Sequence, residues 1–339
     1  MTPFPSNVLY RIVPLMLAIA TASTSVLACS ADGCTLSSNW ETLGFSTQPG
    51  FKMDLRYDYV NQNQLRSGTH SISSSDAAQK VTSDGEPQEV EKYTRNNYIN
   101  LGLDYTFNVN WGVNLQLPYI NRHHATLGTN SNGSDPADGA YDSQTSSLCD
   151  VKVVGRYQGL VPNHNLGLLL GVKLPTGSHT KTGTSTDPTD PGATVPIDRG
   201  LQPGTGTTDA IVGAYYFDSL SKDWDYFGTA TAQMAMNSRD DYKPGNSYYL
   251  NLGLRYMGIT DVMTPQIQLN TQYVSHDTGL EADTTSTGKT AIYITPGAVV
   301  PITKQTAIYG FVQVPIYQDV RGVQLTARYT ASIAALVAF

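Results

Sequence analysis

The sequence predicts an all-β fold: a transmembrane antiparallel up-and-down β-barrel of about 12 strands. Three observations carry that expectation. Apolar and polar residues alternate with period two in many separate segments. Short and long connections follow one another in turn. Beyond the first thirty residues, no run is long and apolar enough for a spanning helix, which needs about 20 such residues. Composition does not argue otherwise. The chain has 339 residues, 40% of them hydrophobic and 14% charged, with 21 Tyr and 30 Gly. Its mean hydropathy is only -0.25. A barrel escapes a hydropathy scan because only alternate residues face lipid.

The N-terminal residues read as an export signal. Arg11 supplies the positive charge, Ile12 to Ala22 the short apolar core, and Val26-Leu27-Ala28 the small residues of a cleavage site. Residues 1–28 are read as a leader, 29–48 as a short periplasmic segment, and 49–339 as the barrel. Removal of the leader delivers the chain to an oxidising compartment, the cell outer membrane being the expected destination. Cys29 and Cys34, in Cys-Ser-Ala-Asp-Gly-Cys, are expected to form a small disulfide. The alternative reading treats Val26 to Cys29 as a lipobox with Cys29 acylated. Cys149 is then left over, as a packing residue.

The final segment shows the alternation most clearly. Val323, Leu325, Ala327, Tyr329, Ala331, Ile333, Ala335, Val337 and Phe339 take every second position, with Gln324, Thr326, Arg328, Thr330 and Ser332 between them. A strand points successive side chains to opposite faces, so this segment has one lipid-like and one wet face. A terminal aromatic such as Phe339 resembles the assembly signal read by the barrel assembly machinery. The same pattern runs through Phe51 to Tyr59, Ile99 to Phe107, Trp111 to Tyr119 and Tyr248 to Tyr256, with aromatics near the strand ends where interfacial girdles belong. Less regular segments at 149–158, 164–175, 208–217, 224–236, 263–275, 289–300 and 305–316 complete the set. Connections near 108–110, 159–163, 218–223, 258–262 and 301–304 are short. Those near 63–95, 123–148, 176–207, 237–246 and 276–288 are longer and polar, while 317–321 is brief. Such alternation marks short periplasmic turns and longer extracellular loops.

With faces assigned this way, Lys52, Arg56, Lys152, Arg156, Lys173, Arg255 and Arg328 point into the barrel together with Asp54, Asp58, Asp104 and Asp150. Inward charges require water or partners. Two readings follow: a pore whose selectivity these residues set, or ion pairs that fill a narrow interior. Tyr293, Phe311 and Gln313 add aromatic and amide groups to the expected lumen. His123 and His124 form no nucleophile–base arrangement and are a poor metal site. The aspartates at 187, 190 and 198 lack EF-hand spacing. No metal, cofactor or catalytic residue is expected. A net charge of -7 argues against nucleic acid as a partner.

Three stretches carry a resemblance. They are Leu174-Pro175-Thr176-Gly177; Leu201-Gln202-Pro203-Gly204-Thr205-Gly206 with Asp209 leading into Gly213-Ala214-Tyr215-Tyr216; and Asp150 followed by Val151 to Tyr157. Together they resemble an outer-membrane family associated with the meta-pathway of phenol degradation, whose members are treated as porin-like transporters. The family tends to place glycine before the aspartate, where this chain has Ser147-Leu148-Cys149. The resemblance implies uptake of hydrophobic or aromatic compounds. The expected function is therefore passive transport of small-molecule solutes by a barrel in outer-membrane lipid. An adhesive or partner-scaffolding barrel and a lipid-modifying barrel enzyme are the alternatives.

Overall fold

The structure is a computed structural model that describes residues 49–339. The leader and the 29–48 segment, with Cys29 and Cys34, lie outside the described residues. Strand is the dominant regular structure, with only the short helices Ser74–Ala78 and Arg199–Leu201 beside it among the described residues. The wall strands are β1 (Gly50–Gly68), β2 (Glu91–Thr106), β3 (Trp111–Thr126), β4 (Val151–Tyr157), β5 (Leu166–Leu174) and β6 (Asp209–Ser221). They continue with β7 (Trp224–Ala235), β8 (Ser247–Tyr256), β9 (Thr264–Val274), β10 (Lys289–Pro301) and β11 (Thr306–Ala338). Each pairs antiparallel with its neighbours, and β1 pairs with β11 from Lys52↔Ala338 upward, so the sheet closes on itself. Closure leaves no wall strand with an unpaired edge, a condition that backbone in hydrocarbon must meet.

These eleven strands form the ring, and short extra strands extend it above one rim. The last strand crosses the wall twice. Its first half pairs with β10 as far as Lys289↔Val320, and its second half pairs with β1 from Val320 onward. Ala338 N–H donates to Gln305 C=O at 2.8 Å, so the two halves lie side by side. Gly322, at φ 64°, turns the chain between them. The eleven-strand ring, one strand of which is long enough to double back, is close to the about twelve strands expected from sequence.

The distribution of side chains is the inverse of a water-soluble core. Leu55, Ile99, Leu170, Leu252, Ile267, Ile294 and Ile333 are exposed on the outer face. Asn96, Asn114, Thr231, Asn251, Gln268, Asn270 and Thr295 are buried on the inner one. A belt of apolar side chains this extensive has no place on a monomer in water, and fits hydrocarbon. At the short-turn rim aromatics pair at Tyr105–Phe107 (5.0 Å), Trp111–Tyr157 (4.6 Å) and Trp224–Tyr256 (5.1 Å). Tyr248 and Tyr273, 5.9 Å apart, mark the opposite level. Rings of this kind suit the two membrane interfaces.

The strands run further than the alternation of sequence indicates. β1 continues to Gly68 and β3 to Thr126, and Tyr141–Leu148 pairs with the upper part of β3. Beyond the lipid band both faces of a strand are wet, so period-two hydropathy no longer reports it. A hairpin of Thr182–Ser185 and Thr194–Pro196 adds to Tyr141–Leu148 through Tyr141↔Ser185.

A β-bulge corrects the sequence reading. Between Val60↔Thr330 and Gln62↔Ala327 an extra residue bulges from β11. A one-residue slip exchanges the faces of everything beyond it. Tyr329 and Ile333 therefore face outward as expected, whereas Val323 and Leu325 are buried inside with Leu65 and Val90. Cys149 is fully buried beside Val60, Tyr98 and Ile120.

Candidate functional site: the barrel interior and its mouth

Inward positions on β1, β2, β4 and β5 do carry the expected charges, and nearly all of them are paired. Arg56 Nε contacts Asp58 at 2.9 Å, and Asp58 also accepts from Asn100 at 2.7 Å. Asp54 accepts from the Tyr309 hydroxyl at 2.6 Å. Arg156 bridges Asp104 and Thr106, and Gly112 opposite leaves room for the guanidinium, which a Cβ there would strike. Arg255 lies 3.5 Å from Asp225 and 5.8 Å over the Phe227 ring. Lys52 is half-buried near the short-turn rim. Lys152 Nζ donates to Gln233 at 2.8 Å. Unpaired charges in such a setting would be costly, and pairing with hydrogen-bonded neighbours offsets that cost.

Arg328 does not join this group. The β11 bulge turns it to the outer face, where it is exposed beside Tyr329. Its expected role in the lumen is corrected accordingly.

Asp150 and Lys173 belong to a second arrangement that the sequence did not bring together. Lys173 Nζ contacts Asp150 at 2.8 Å and Asp209 at 3.2 Å. The other Asp150 lone pairs accept from the backbone N–H of Gly177 at 2.9 Å and of Thr205 at 3.0 Å, and from the Thr205 hydroxyl at 3.0 Å. Thr207 donates to Asp209 at 2.7 Å. Gly204 N–H donates to Ser178 C=O at 2.8 Å, and a Cβ on Gly204 would sit 2.6 Å from the Gly177 carbonyl carbon. Both ends of the 176–207 connection are thus fastened to one buried carboxylate at the top of β4, β5 and β6. We refer to this as the latch.

The latched connection reaches across the mouth. Arg122, on the inner face of β3, donates to Asn96 at 2.6 Å and to the Leu201 carbonyl. Arg199 donates to the carbonyls of Thr205 and Arg239 at 3.1 Å each, and lies 4.8 Å over the Tyr242 ring. Between the tip at 196–202 and the opposite wall at Val323–Leu325 lies a cavity of about 500 Å³. Glu89, Asp198 and Asp283 face it together with Lys181, Arg199 and Lys289. Burial, then the charge of Asp198, pushes the Glu89 carboxyl up to about 8. Burial likewise raises Asp198, although the Tyr141 hydroxyl donates to it at 3.1 Å.

Lower in the barrel, Phe227, Val299, Tyr309 and Phe311 form a buried apolar cluster on the inner face. Tyr293 and Gln313, on the same face, are buried as well. His123 and His124 lie on opposite faces of β3 and cannot share an ion; His124 points inward and bonds Thr94 at 2.8 Å. Asp187 is occupied by Gly139 N–H at 3.0 Å and Thr189 N–H at 2.8 Å, well separated in its bonding from Asp198.

Sequence reasoning missed Asp209, Gln233, Arg122 and Arg199. Arg122 alternates with Ile120 and His124, a signal lost once β3 is ended at Tyr119. Arg199 sits in a polar connection with no periodicity to mark it.

No family model matches the chain, and no curated relative does. Among solved structures, the COG4313 outer membrane channel from Pseudomonas putida F1 superposes with a TM-score of 0.57 at 13% identity, over 87% of this chain and 97% of that one. This likeness is one of fold: a closed antiparallel β-barrel. The P. putida toluene transporter TodX aligns at a TM-score of 0.41 and 11% identity, over 94% of this chain and 95% of that one. The beta domain of the Bordetella autotransporter BrkA aligns at 0.45 and 12%, over 86% and 100%.

Proposed function

We propose that this protein is an outer-membrane channel for passive movement of small molecules, with hydrophobic or aromatic solutes as its class of cargo. The observation that carries the proposal is the inverted barrel itself: an apolar belt outside, and an interior of amides, hydroxyls and paired charges. The inward cluster of Phe227, Tyr309 and Phe311 beside Gln313 supports amphiphilic solutes, because an apolar surface with a few polar groups binds them best. The fold shared with the COG4313 outer membrane channel and the resemblance of the latch residues to porin-like transporters both agree with a channel role. In this reading residues 1–28 are a cleaved leader, the barrel assembly machinery inserts the chain, and the latched end faces outward. The paired state of Arg56, Arg156 and Lys173 favours a wall-stabilising role over direct solute selection. An adhesive role for the 176–207 connection gains no support, since its ends are tied inward.

Purified protein in planar lipid bilayers tests the proposal. Discrete conductance steps are expected, together with swelling of proteoliposomes in small phenolic solutes. A folded, inserted barrel that shows neither would overturn it.

A further inference from the structure

The outer wall carries a polar feature at a depth where lipid is expected. Two consecutive irregularities between β1 and β11, at Val60/Gln62 and Gln62/Gln64, open a crevice of about 320 Å³ on the outer face. Gln64, Arg66, Thr69 and Arg328 line one side, and Ile316 and Tyr317 the other. Outward direction follows from the neighbours. Leu65, Leu325 and Ala327 pack inside, so Gln64, Arg66 and Arg328 point out by alternation. The Arg66 guanidinium is anchored on the Thr69 carbonyl, while its Nε has no hydrogen-bond partner. Arg328 has no hydrogen bond or ion pair among the described residues. No carboxylate is among those that line the crevice, Asp319 lying beyond it beside Gly68.

Depth can be read from the strand. Arg328 stands eleven residues above Phe339 at the short-turn rim. With a rise of about 3.4 Å per residue and a tilt of about 40°, that is about 28 Å up the wall. The apolar band of such barrels is about 25 Å tall. The two arginines therefore sit at headgroup level at the long-loop end, with exposed Tyr317 and Tyr329 at the same height.

Two guanidiniums that converge on one crevice, open toward lipid and free of acidic partners, select for a planar or tetrahedral oxyanion. We propose that this crevice binds the phosphate of an anionic lipid headgroup in the outer leaflet, with Arg66 and Arg328 as donors. Ile316 and Tyr317 seat the adjoining acyl chain. The inference rests on the outer-membrane reading above, though not on channel activity.

Native mass spectrometry of the purified full chain in detergent, titrated with bis-phosphorylated lipid A, dephosphorylated lipid A, or inorganic phosphate, tests it. The unaltered protein should hold the phosphorylated lipid at least about tenfold more tightly than the dephosphorylated one. Arg66→Gln with Arg328→Gln should weaken that binding about thirtyfold, as expected for two interfacial arginines. Arg328→Gln alone, at a residue without structural partners, should weaken it about fivefold and keeps the test open should the double variant fail to fold. Arg95→Gln, an exposed arginine on β2 beside Tyr93, should leave it unchanged. Equal lipid binding by the double variant, an equal loss in Arg95→Gln, or complete displacement of lipid by millimolar inorganic phosphate would each overturn the proposal. Conductance measured on the same preparations separates its failure from failure of the channel reading.

Discussion

Removing the Asp150 carboxylate should free the 176–207 connection while the barrel stays folded. Asp150 accepts from Lys173 at 2.8 Å and from three donors of the connection between 2.9 and 3.0 Å. In Asp150→Ala the Lys173 ammonium keeps Asp209, at 3.2 Å, as its one carboxylate beside the Thr205 and Thr207 hydroxyls, and two backbone N–H groups lose their acceptor inside the protein. Breaking one side of a buried ion pair costs about 3–5 kcal/mol. At about 1.4 kcal/mol per factor of ten, the fraction of molecules with the connection released rises by about two to three and a half orders of magnitude. Lys181 and Arg199 lie within the connection and give trypsin two targets. When release and closure are fast, cleavage tracks the released fraction. Asp150→Ala should therefore be cut at these sites at least about a hundredfold faster than the parent, with unchanged heat-modifiable mobility on gels. Asp150→Asn retains an acceptor and should fall between. Equal cleavage rates in a folded Asp150→Ala barrel would refute the latch.

Other expectations are as direct. Gly204→Ala should release the same connection without touching a charge, because the added Cβ meets Gly177 backbone that cannot move aside; the trypsin assay reads it. Arg156→Leu should lower the unfolding midpoint by the equivalent of about 3–5 kcal/mol by stranding the buried Asp104, and Arg156→Leu with Asp104→Leu should recover most of it. Leu170→Arg, on the outer face at the middle of β5, should cost about 2–4 kcal/mol of folding into bilayers. A midpoint unchanged in lipid vesicles would contradict the assigned face. The mouth should loosen with rising pH. Glu89 titrates near 4.5 when free and near 8 in place, so the folded mouth binds the extra proton between those values. Its contribution is full below about 4.5 and is lost as pH rises through about 8. Hydrogen exchange of the amides of Val90 and Leu127, corrected for intrinsic rates, should accelerate from pH 6 to 9 in the parent and much less in Glu89→Gln.

The barrel was legible because its rule is local. Each crossing inside lipid must show apolar side chains on one face and satisfy every backbone group by pairing. Leu55, Ile99, Leu252 and Ile333 therefore declare their face in the sequence alone. Arg328 was misplaced because a bulge is a matter of register between two strands, and nothing in Val323 to Phe339 itself shows that β1 skips a partner near Gln62. The upper parts of β1 and β3 were lost for a different reason. With water on both sides, Gln64 or His123 meets no hydropathic constraint, and the pairing that orders them is long-range.

The residues that resemble a transporter family also take on another meaning. Gly177 and Gly204 approach so closely that neither tolerates a side chain, and Asp150, Lys173, Thr205 and Asp209 close a buried network around that contact. Such positions are fixed by geometry whatever the solute, because any change strands a buried charge or opens the backbone contact. Similarity at the latch therefore identifies how the mouth is built and carries little information about cargo. In the channel proposed above, discrimination among solutes would fall to side chains that can vary without breaking the wall. On the inner face these are Phe227 and Phe311, and Gly253 and Gly297 leave the space that their rings occupy. Phe311→Ala should consequently change the relative flux of aromatic and aliphatic solutes in the proteoliposome assay, while Asp150→Ala alters their flux together. A uniform change in both variants would place selectivity at the mouth instead.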